Sequence, residues 1–339
     1  MSEEQIYDEN SGDSHHHPSK QHSFFGYGAC ALAGSLWGTG FYFGRLALNE
    51  MSVEHMVLYR FLFACLGIAP VAILYGLRRR RSGQTIPEFT AKEFRILLIA
   101  TTFGIPVQFL VQFHGLAMTT VSHAALMVGA MPVLLAAAAA IFAGERLDRF
   151  GWSALVASTI GAALVTLGGH ASAHGGPSFT GDLMVLSSLG TSLVWILLCK
   201  NLLKTHSPKL VTAGTLFLGT TMLAAVVASE QIFAQLTHHS VEPFPFAHVS
   251  LRAWLALAAS GILCTATSTL LWNWGLHNVP ASRAGVFLNI EPALGSLLGV
   301  ELLGEHLGPF AWLGGAFILG AALALTLHSH EPGPPALIE

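Results

Sequence analysis

The sequence predicts an all-α membrane protein with ten transmembrane helices, arranged as two inverted five-helix repeats. Three observations carry this prediction: the composition, ten long apolar stretches, and a match between the two halves of the chain. Of 339 residues, 53% are hydrophobic and only 10% are charged, whereas a soluble domain carries about 25% charged residues. Because so few charges cannot cover a water-facing surface, the chain is expected to lie in a lipid bilayer.

Ten stretches are apolar and long enough for a membrane helix, which needs about 20 residues to cross the bilayer. They lie at roughly 26–48, 54–77, 94–117, 121–142, 150–168, 181–203, 209–228, 252–274, 282–303 and 309–328. The polar residues 1–25 are expected to form a disordered cytoplasmic tail. Residues 169–180 are predicted to be a linker, and residues 329–339 a C-terminal tail.

Basic residues are concentrated in alternate linkers. Of the 16 lysines and arginines, 13 fall on one side of the predicted helices, among them Arg78–Arg81 after the second span. Cytoplasmic linkers of membrane proteins carry an excess of such residues. We therefore predict a multi-pass protein of the cell inner membrane with both termini in the cytoplasm.

A shift of 160 residues aligns the two halves of the chain without a gap. The identities include Gly115 with Gly275, Ser122 with Ser282, Pro132 with Pro292, Gly144-Glu145 with Gly304-Glu305, and Trp152 with Trp312. The shift predicts one repeat over 26–168 and a second over 181–328. Since each repeat has five helices, an odd number, the second enters the membrane from the opposite side. Inverted repeats are common in secondary transporters, whose substrate site lies between the repeats.

Six segments together resemble the EamA-type transporters of the drug/metabolite transporter superfamily. They are SLWGTGFYFGRLAL (35–48), LYRFLFA (58–64), SHAALMVGAMPVLLA (122–136), FAGERL (142–147), SRAGVFLNIEPALGSLLG (282–299) and LLGEHL (302–307). The resemblance covers about residues 28–328. It implies two EamA units, and a carrier that exports amino acids or other small metabolites from bacteria.

Glu291 is the deepest acidic residue of the predicted spans. Its equivalent in the first repeat is Met131, so the shared architecture does not require a carboxylate there. Because an ionisable residue inside a membrane is costly, it is a functional candidate. We predict that Glu291 binds a substrate amine or a proton; the alternative is a buried acid bonded to a neighbouring helix. Pro132 and Pro292 are either hinges for alternating access or static kinks.

Polar and aromatic residues in the spans predict a substrate cavity. The third span carries a stripe at helical spacing that consists of Gly104, Gln108, Gln112 and Gly115. The alternative role of such residues is hydrogen bonding between helices. The predicted substrate-binding residues are Trp37, Tyr42, Gln108, Gln112, Trp195, Ser268, Trp272, Asn273, Asn289 and Glu291.

Two arginines, Arg45 and Arg60, lie near the outer ends of the first two spans. Their side chains are expected to snorkel to the interface or to pair with Glu50 or Glu54. In the alternative, an arginine faces the cavity and holds a substrate carboxylate.

Three further acids are expected to be structural. Glu145 and Glu305 each lie in a turn, where an acid favours the start of the helix that follows. Asp182 is expected to be the N-cap of the sixth span. The glycine pairs Gly34–Gly38, Gly40–Gly44 and Gly295–Gly299 allow close helix contact, within the chain or in a homodimer.

Motifs for catalysis, metal binding and ATP hydrolysis do not occur in the sequence. It has no H-E-x-x-H, no Cys/His zinc spacing, no G-x-S-x-G and no G-x-x-x-x-G-K-[ST]. We expect no catalytic residue, no cofactor and no metal, and no basic tract suggests nucleic acid. The predicted partners are a small-molecule substrate and the lipid bilayer. The alternative function is an intramembrane enzyme that acts on a lipid-linked substrate.

Overall fold

A computed structural model describes residues 20–83, 85, 88–142, 149–168, 177–203, 205–237, 248–278 and 285–328. These residues form eleven helices, and no β-strand occurs among them. The helices are α1 (Lys20–Leu48), α2 (Val53–Arg81), α3 (Ala91–Met118), α4 (Val121–Val128), α5 (Met131–Phe142), α6 (Arg149–Gly168), α7 (Phe179–Leu202), α8 (Pro208–Thr237), α9 (251–278), α10 (Ile290–Leu303) and α11 (Pro309–His328).

Five of the helices are long and apolar enough to cross a membrane. They contain the segments Val53–Arg81, Ala91–Met118, Phe179–Cys199, Pro208–Ala234 and Leu251–Gly275. Large apolar side chains such as Leu66, Phe233 and Leu236 are exposed on the bundle surface, where lipid rather than water is the suitable solvent. The protein is therefore an all-α, multi-pass membrane protein, and the count of ten spans stays a prediction.

Some boundaries of the expected segments differ from the structure or fall outside it. The helix α1 begins at Lys20, so residues 20–25 are helical rather than part of a disordered tail. Residues 1–19, Glu145, the larger part of the 169–180 linker and the C-terminal tail lie outside the described residues.

The helices α3 and α9 contain equivalent irregularities. Phe103–Val107 in α3 and Ile262–Thr267 in α9 are π-helical. The 160-residue shift superimposes residues 103–107 on 263–267, so the irregularity belongs to the repeat. Because π turns are rare and occur frequently at functional sites, this level of the bundle is a candidate site.

Both candidate hinge prolines follow a break in a helix. The helix α4 ends at Val128 and α5 begins at Met131, which makes Pro132 the second residue of α5. A 3₁₀ turn over Gly285–Asn289 precedes α10, and Pro292 lies in the first turn of α10. A proline there removes no intrahelical hydrogen bond, because the first N–H groups of a helix have no helical partner.

Glycines bring α1, α10 and α4 into close contact. A Cβ atom on Gly38 would lie 2.8 Å from the backbone oxygen of Glu291. A Cβ atom on Gly295 of α10 would lie 2.7 Å from the Cβ atom of Ala125 on α4 and 3.2 Å from the backbone oxygen of Gly38. The predicted small-residue pairs that contain Gly38 and Gly295 therefore pack helices within the chain.

The turn between α1 and α2, residues 49–52, marks one end of the bundle, which we call the 49–52 end. The opposite end, which holds Arg78–Arg81, we call the basic end. At the 49–52 end, the Glu50 carboxylate accepts hydrogen bonds from the backbone N–H (2.6 Å) and hydroxyl (2.7 Å) of Ser250, just before α9. These bonds hold the pKa of Glu50 below its ordinary value.

Neither expected acid pairs with the two arginines. Glu50 binds Ser250, and Glu54 lies 2.8 Å from Nε2 of His114. Arg45 instead donates to the backbone oxygen of Thr119. The prediction that Glu50 or Glu54 pairs with Arg45 or Arg60 is therefore wrong, because Ser250 and His114 bind the two carboxylates and Arg45 binds a backbone oxygen.

Glu305 caps a helix of the other repeat. Its carboxylate accepts hydrogen bonds from the backbone N–H groups of Val121 and Ser122, each at 2.7 Å, and from the Ser122 hydroxyl at 2.6 Å. Glu305 therefore caps the start of α4, and the prediction that it favours the start of the following helix, α11, is wrong. Gly304, with φ of 65°, turns the chain after α10 and makes this approach feasible.

Asp182 is not the N-cap of α7, contrary to the prediction. The N-cap is Ser178, whose hydroxyl accepts a hydrogen bond from the N–H of Gly181 at 3.0 Å. Asp182 is fully buried in the first turn. Its carboxylate accepts a hydrogen bond from the Thr119 hydroxyl and lies 3.1 Å from Nδ1 of His123.

We expect Glu305→Ala to lower the free energy of unfolding by about 1–3 kcal/mol, because two backbone N–H groups lose a charged acceptor. Denaturant titration in detergent, followed by circular dichroism, measures the change. Glu301→Ala is the matched control, since Glu301 is exposed near the end of α10. Equal losses in the two variants would contradict the capping role.

We expect Gly38→Val to destabilise the protein by about 1–3 kcal/mol, because the added atoms force α1 away from α10. Gly28→Val is the control on the same helix, since a Cβ atom there meets nothing within 4 Å. Thermal unfolding of both variants gives the comparison. A Gly38→Val protein as stable as the Gly28→Val protein would refute the close contact.

Candidate substrate-binding site

An arginine lies buried inside the bundle. Arg60, on α2, is 5% exposed, and its Nε donates a hydrogen bond to the Thr265 hydroxyl at 3.0 Å. Thr265 lies in the π turn of α9, and its hydroxyl donates in turn to the backbone oxygen of Ser260 at 3.0 Å. The prediction that Arg60 snorkels is therefore wrong, and the alternative of an inward-facing arginine matches the geometry.

Aromatic rings and a glycine surround the Arg60 guanidinium. Its central carbon lies 5.2 Å from the ring centroids of both Phe109 and Phe113 on α3, within the range of a cation–π interaction. A Cβ atom on Gly40 of α1 would lie 3.5 Å from an Nη atom. Among the described residues, none accepts a hydrogen bond from the Nη atoms.

Glu291 is the opposite charge that acts on Arg60. The two groups interact electrostatically without a direct ion pair. Glu291 is half-buried in the first turn of α10, where the helix dipole favours a negative charge. Its carboxylate hydrogen-bonds to none of the described residues. The buried Arg60 and the half-buried Glu291 therefore offset each other's charge, while both keep hydrogen-bonding atoms that no described residue occupies.

This charge pair breaks the symmetry of the repeats. The 160-residue shift aligns Arg60 with Thr220 and Glu291 with Met131. Neither charge has a charged counterpart in the other repeat. The π turns and the two prolines, in contrast, occur at equivalent positions in both repeats. The shared scaffold is therefore symmetric, whereas the chemistry at its centre is not.

Two of the predicted tryptophans lie against each other. Trp37 on α1 and Trp272 on α9 have ring centroids 5.4 Å apart. Trp37 directly precedes Gly38, the residue that contacts the Glu291 backbone. The helix α1, which carries Trp37, therefore packs against both α9, which carries Trp272, and α10, which carries Glu291.

Two predicted polar residues are engaged within the bundle. The Ser268 hydroxyl donates to backbone oxygens of its own helix, Cys264 at 2.8 Å and Thr265 at 3.2 Å. Nδ2 of Asn273 donates to the Thr212 hydroxyl on α8 at 2.9 Å. For Asn273, this contact matches the alternative of hydrogen bonding between helices.

A second group of predicted residues lies where α3 packs against α7. The side chain of Trp195 on α7 packs directly against Gly104 in the π turn of α3, where a Cβ atom would clash with it. Its Nε1 is buried and has no hydrogen-bond partner among the described residues. Gln112 is buried and Gln108 is half-buried, and neither amide hydrogen-bonds to a described residue. Since buried polar groups normally have partners, these groups are candidates to contact a ligand.

The remaining predicted residues are Tyr42 and Asn289. The Tyr42 ring is 5.6 Å from that of its neighbour Phe43, and Asn289 ends the 3₁₀ turn before α10. The predicted substrate-binding residues do not include Arg60, nor its neighbours Phe109, Phe113 and Thr265. The sequence feature that could have identified Arg60 is its position as a single arginine inside the apolar segment LYRFLFA. Within the described residues, no group of three or more His, Cys, Asp or Glu side chains could hold a metal ion.

Comparison with known proteins identifies the family. The sequence profile of the EamA-like transporter family matches residues 24–167 and 179–327. An "Uncharacterized transporter" of Archaeoglobus fulgidus is 22% identical over 301 residues, which cover 89% of this chain and 97% of that protein. A Streptantibioticus cattleyicolor protein named "Probable terminal-alkyne amino-acid exporter" is 23% identical over 309 residues, 90% of this chain and 94% of that protein.

A solved crystal structure has the same fold. Its TM-score is 0.58 at 20% sequence identity, and the match covers 92% of this chain and 99% of the other. The family profile matches two segments, one in each half of the chain, and the relatives are named as transporters rather than enzymes. The chain belongs to the EamA-like transporter family.

Proposed function

We propose that the protein is a secondary transporter that exports a small zwitterionic metabolite, such as an amino acid, across the bacterial inner membrane by alternating access. The observation that carries the proposal is the pair of opposite charges inside the bundle. Arg60 and Glu291 interact without a direct ion pair, and neither the Nη atoms nor the carboxylate hydrogen-bonds to a described residue. A substrate with one positive and one negative group suits this arrangement.

Each charge has a natural ligand on an amino acid. A guanidinium binds a carboxylate with two parallel hydrogen bonds, and the Nη atoms of Arg60 are free to do so. The Glu291 carboxylate accepts hydrogen bonds from the substrate ammonium. Since the substrate replaces the long-range attraction between the residues with two close pairs, the desolvation of both charges is compensated.

The Arg60 side chain is held in place before any substrate binds. Its Nε is fixed by Thr265, and the rings of Phe109 and Phe113 flank the guanidinium. Such preorganisation lowers the entropy lost on binding. The indoles of Trp37 and Trp272 offer an apolar surface for the substrate side chain.

Alternating access requires two arrangements of the same bundle. The helix breaks before Pro132 and Pro292 are equivalent in the two repeats, and broken helices at the substrate site are a feature of inverted-repeat transporters. We assign hinge motion to these breaks. We also assign proton coupling to Glu291, which binds either a proton or the substrate ammonium but not both. The relative named for amino-acid export is consistent with this substrate class.

We expect Arg60→Lys to weaken substrate binding more than tenfold, because an ammonium cannot form the two parallel hydrogen bonds of a guanidinium. The probe is a panel of neutral amino acids tested by thermal shift and by flux in proteoliposomes. Arg252→Lys is the control, since Arg252 is exposed at the start of α9. Amino-acid amides have no carboxylate for Arg60 to bind. Their affinity for the wild-type protein should therefore be as low as the affinity of amino acids for the Arg60→Lys variant. Equal transport of acids and amides would refute the proposal.

We expect Glu291→Gln to abolish the pH dependence of amino-acid binding while the protein still inserts and folds. In wild type, binding should strengthen as pH rises, because a protonated Glu291 cannot pair with an ammonium. Isothermal titration between about pH 5 and pH 8 measures the slope. Glu301→Gln should behave as wild type. A Glu291→Gln protein that keeps the wild-type slope would exclude Glu291 as the coupling residue.

A further inference from the structure

A second pair of ionisable groups lies buried at the 49–52 end, away from the proposed substrate site. His123, in the first turn of α4, and Asp182, in the first turn of α7, have side chains that are 2% and 0% exposed. Nδ1 of His123 lies 3.1 Å from one carboxylate oxygen, and the other oxygen accepts a hydrogen bond from the Thr119 hydroxyl. Histidine is the side chain that ordinarily changes charge between pH 5 and pH 8.

We propose that His123 and Asp182 form a proton-binding site that holds the 49–52 end of the bundle closed. The proposal rests on the proposed function only in that a carrier must open and close this end. The proton site is separate from Glu291, which lies deeper in the bundle on α10.

The pair joins helices from both repeats. His123 belongs to the first half of the chain and Asp182 to the second. Thr119, which also binds Asp182, follows the end of α3, and its backbone oxygen accepts a hydrogen bond from Arg45 on α1. Glu305, after α10, caps the start of α4 just before His123. Because five helix ends converge here, they cannot separate without exposing the pair to water.

The net charge of the buried pair depends on whether His123 carries a second proton. With His123 protonated, imidazolium and carboxylate cancel. Without the proton, Asp182 is a buried carboxylate whose charge no cation in direct contact offsets. Burying such a charge is far more costly than burying a hydrogen-bonded ion pair. Loss of the proton therefore weakens the contact between α4 and α7 and favours an open, hydrated end.

The charged groups that the neighbouring elements bring to this end are Arg45, Glu305 and the His114–Glu54 pair. Arg45 interacts electrostatically with Glu305, and arginine and glutamate ordinarily stay charged between pH 5 and pH 8. His114 on α3 pairs with Glu54, and its side chain is 44% exposed.

Among the described residues, the helices packed against α4 and α7 add no further buried charge at this end. Glu301 and His306, near the end of α10, are exposed. The helices α6 and α11 carry charged or titratable residues only at their far ends, Arg149 and His328, and α7 carries Lys200 at its far end.

The site fits the export cycle proposed above. With the predicted orientation, the 49–52 end faces the outside of the cell. After the substrate leaves, water reaches His123, and a proton from the outside binds. The end then closes around a neutral pair, and the carrier returns to face the cytoplasm.

Hydrogen exchange of the full chain in lipid nanodiscs tests this inference without a substrate. We measure amides of residues 121–126 and 179–186 at about pH 5.5 and about pH 8, corrected for intrinsic exchange. In wild type we expect roughly tenfold stronger protection at the lower pH. His123→Gln should remove this difference. His114→Gln, the matched control at the same end, should retain it.

Asp182→Asn gives the inverse prediction. With no carboxylate, a protonated His123 becomes an unpaired buried cation, so protection should fall as pH is lowered. Size-exclusion chromatography checks that each variant is folded. If His123→Gln does not fold, the reversed sign in Asp182→Asn still decides the question.

Three results would overturn the proton site: no pH difference in wild type, a difference that persists in His123→Gln, or one that disappears in His114→Gln. Each is independent of the amino-acid panel. If the panel shows transport while wild type shows no pH difference, the proton site fails and the proposed function stands. If no amino acid binds while the pH difference appears as expected, the proposed function fails instead.

Discussion

The stabilisation of the buried Arg60 guanidinium is the physical constraint that organises the interior of the bundle. A charge in an apolar bundle is stable only when nearby groups replace water. The structure supplies a hydroxyl, two aromatic faces and a distant carboxylate, from Thr265, Phe109, Phe113 and Glu291. The π turn of α9 contributes directly, because the Thr265 hydroxyl donates to Ser260, five residues earlier, and so leaves its oxygen to accept from Arg60.

Close helix packing then sets the position of the opposite charge. Gly38 lets α1 approach the backbone of Glu291, and Gly295 lets both α1 and α4 approach α10. Larger residues at these positions would separate the helices and move the carboxylate. The broken helices and π turns thus recur in both repeats. Arg60 and Glu291 do not recur, and they make the centre of the bundle asymmetric.

The 49–52 end is closed by polar contacts between segments that are distant in the sequence. Glu305 caps α4, Glu50 binds Ser250 before α9, and His123 lies against Asp182. Such contacts satisfy helix-terminal N–H groups that have no partner within their own helix. The 49–52 end is therefore held by helix caps and by two histidine–carboxylate contacts, His123 with Asp182 and His114 with Glu54.

The all-α membrane class, the repeat and the family could be predicted from the sequence, because composition, periodicity and internal identity are properties of the chain alone, whereas the role of Glu291 stays a prediction. Only the tertiary structure decided that Arg60 points inward, that Glu305 caps α4 rather than α11, and that Asp182 pairs with His123. Each of these depends on a partner between 59 and 205 residues away. Local spacing carries no information about such partners, since helix packing brings them together.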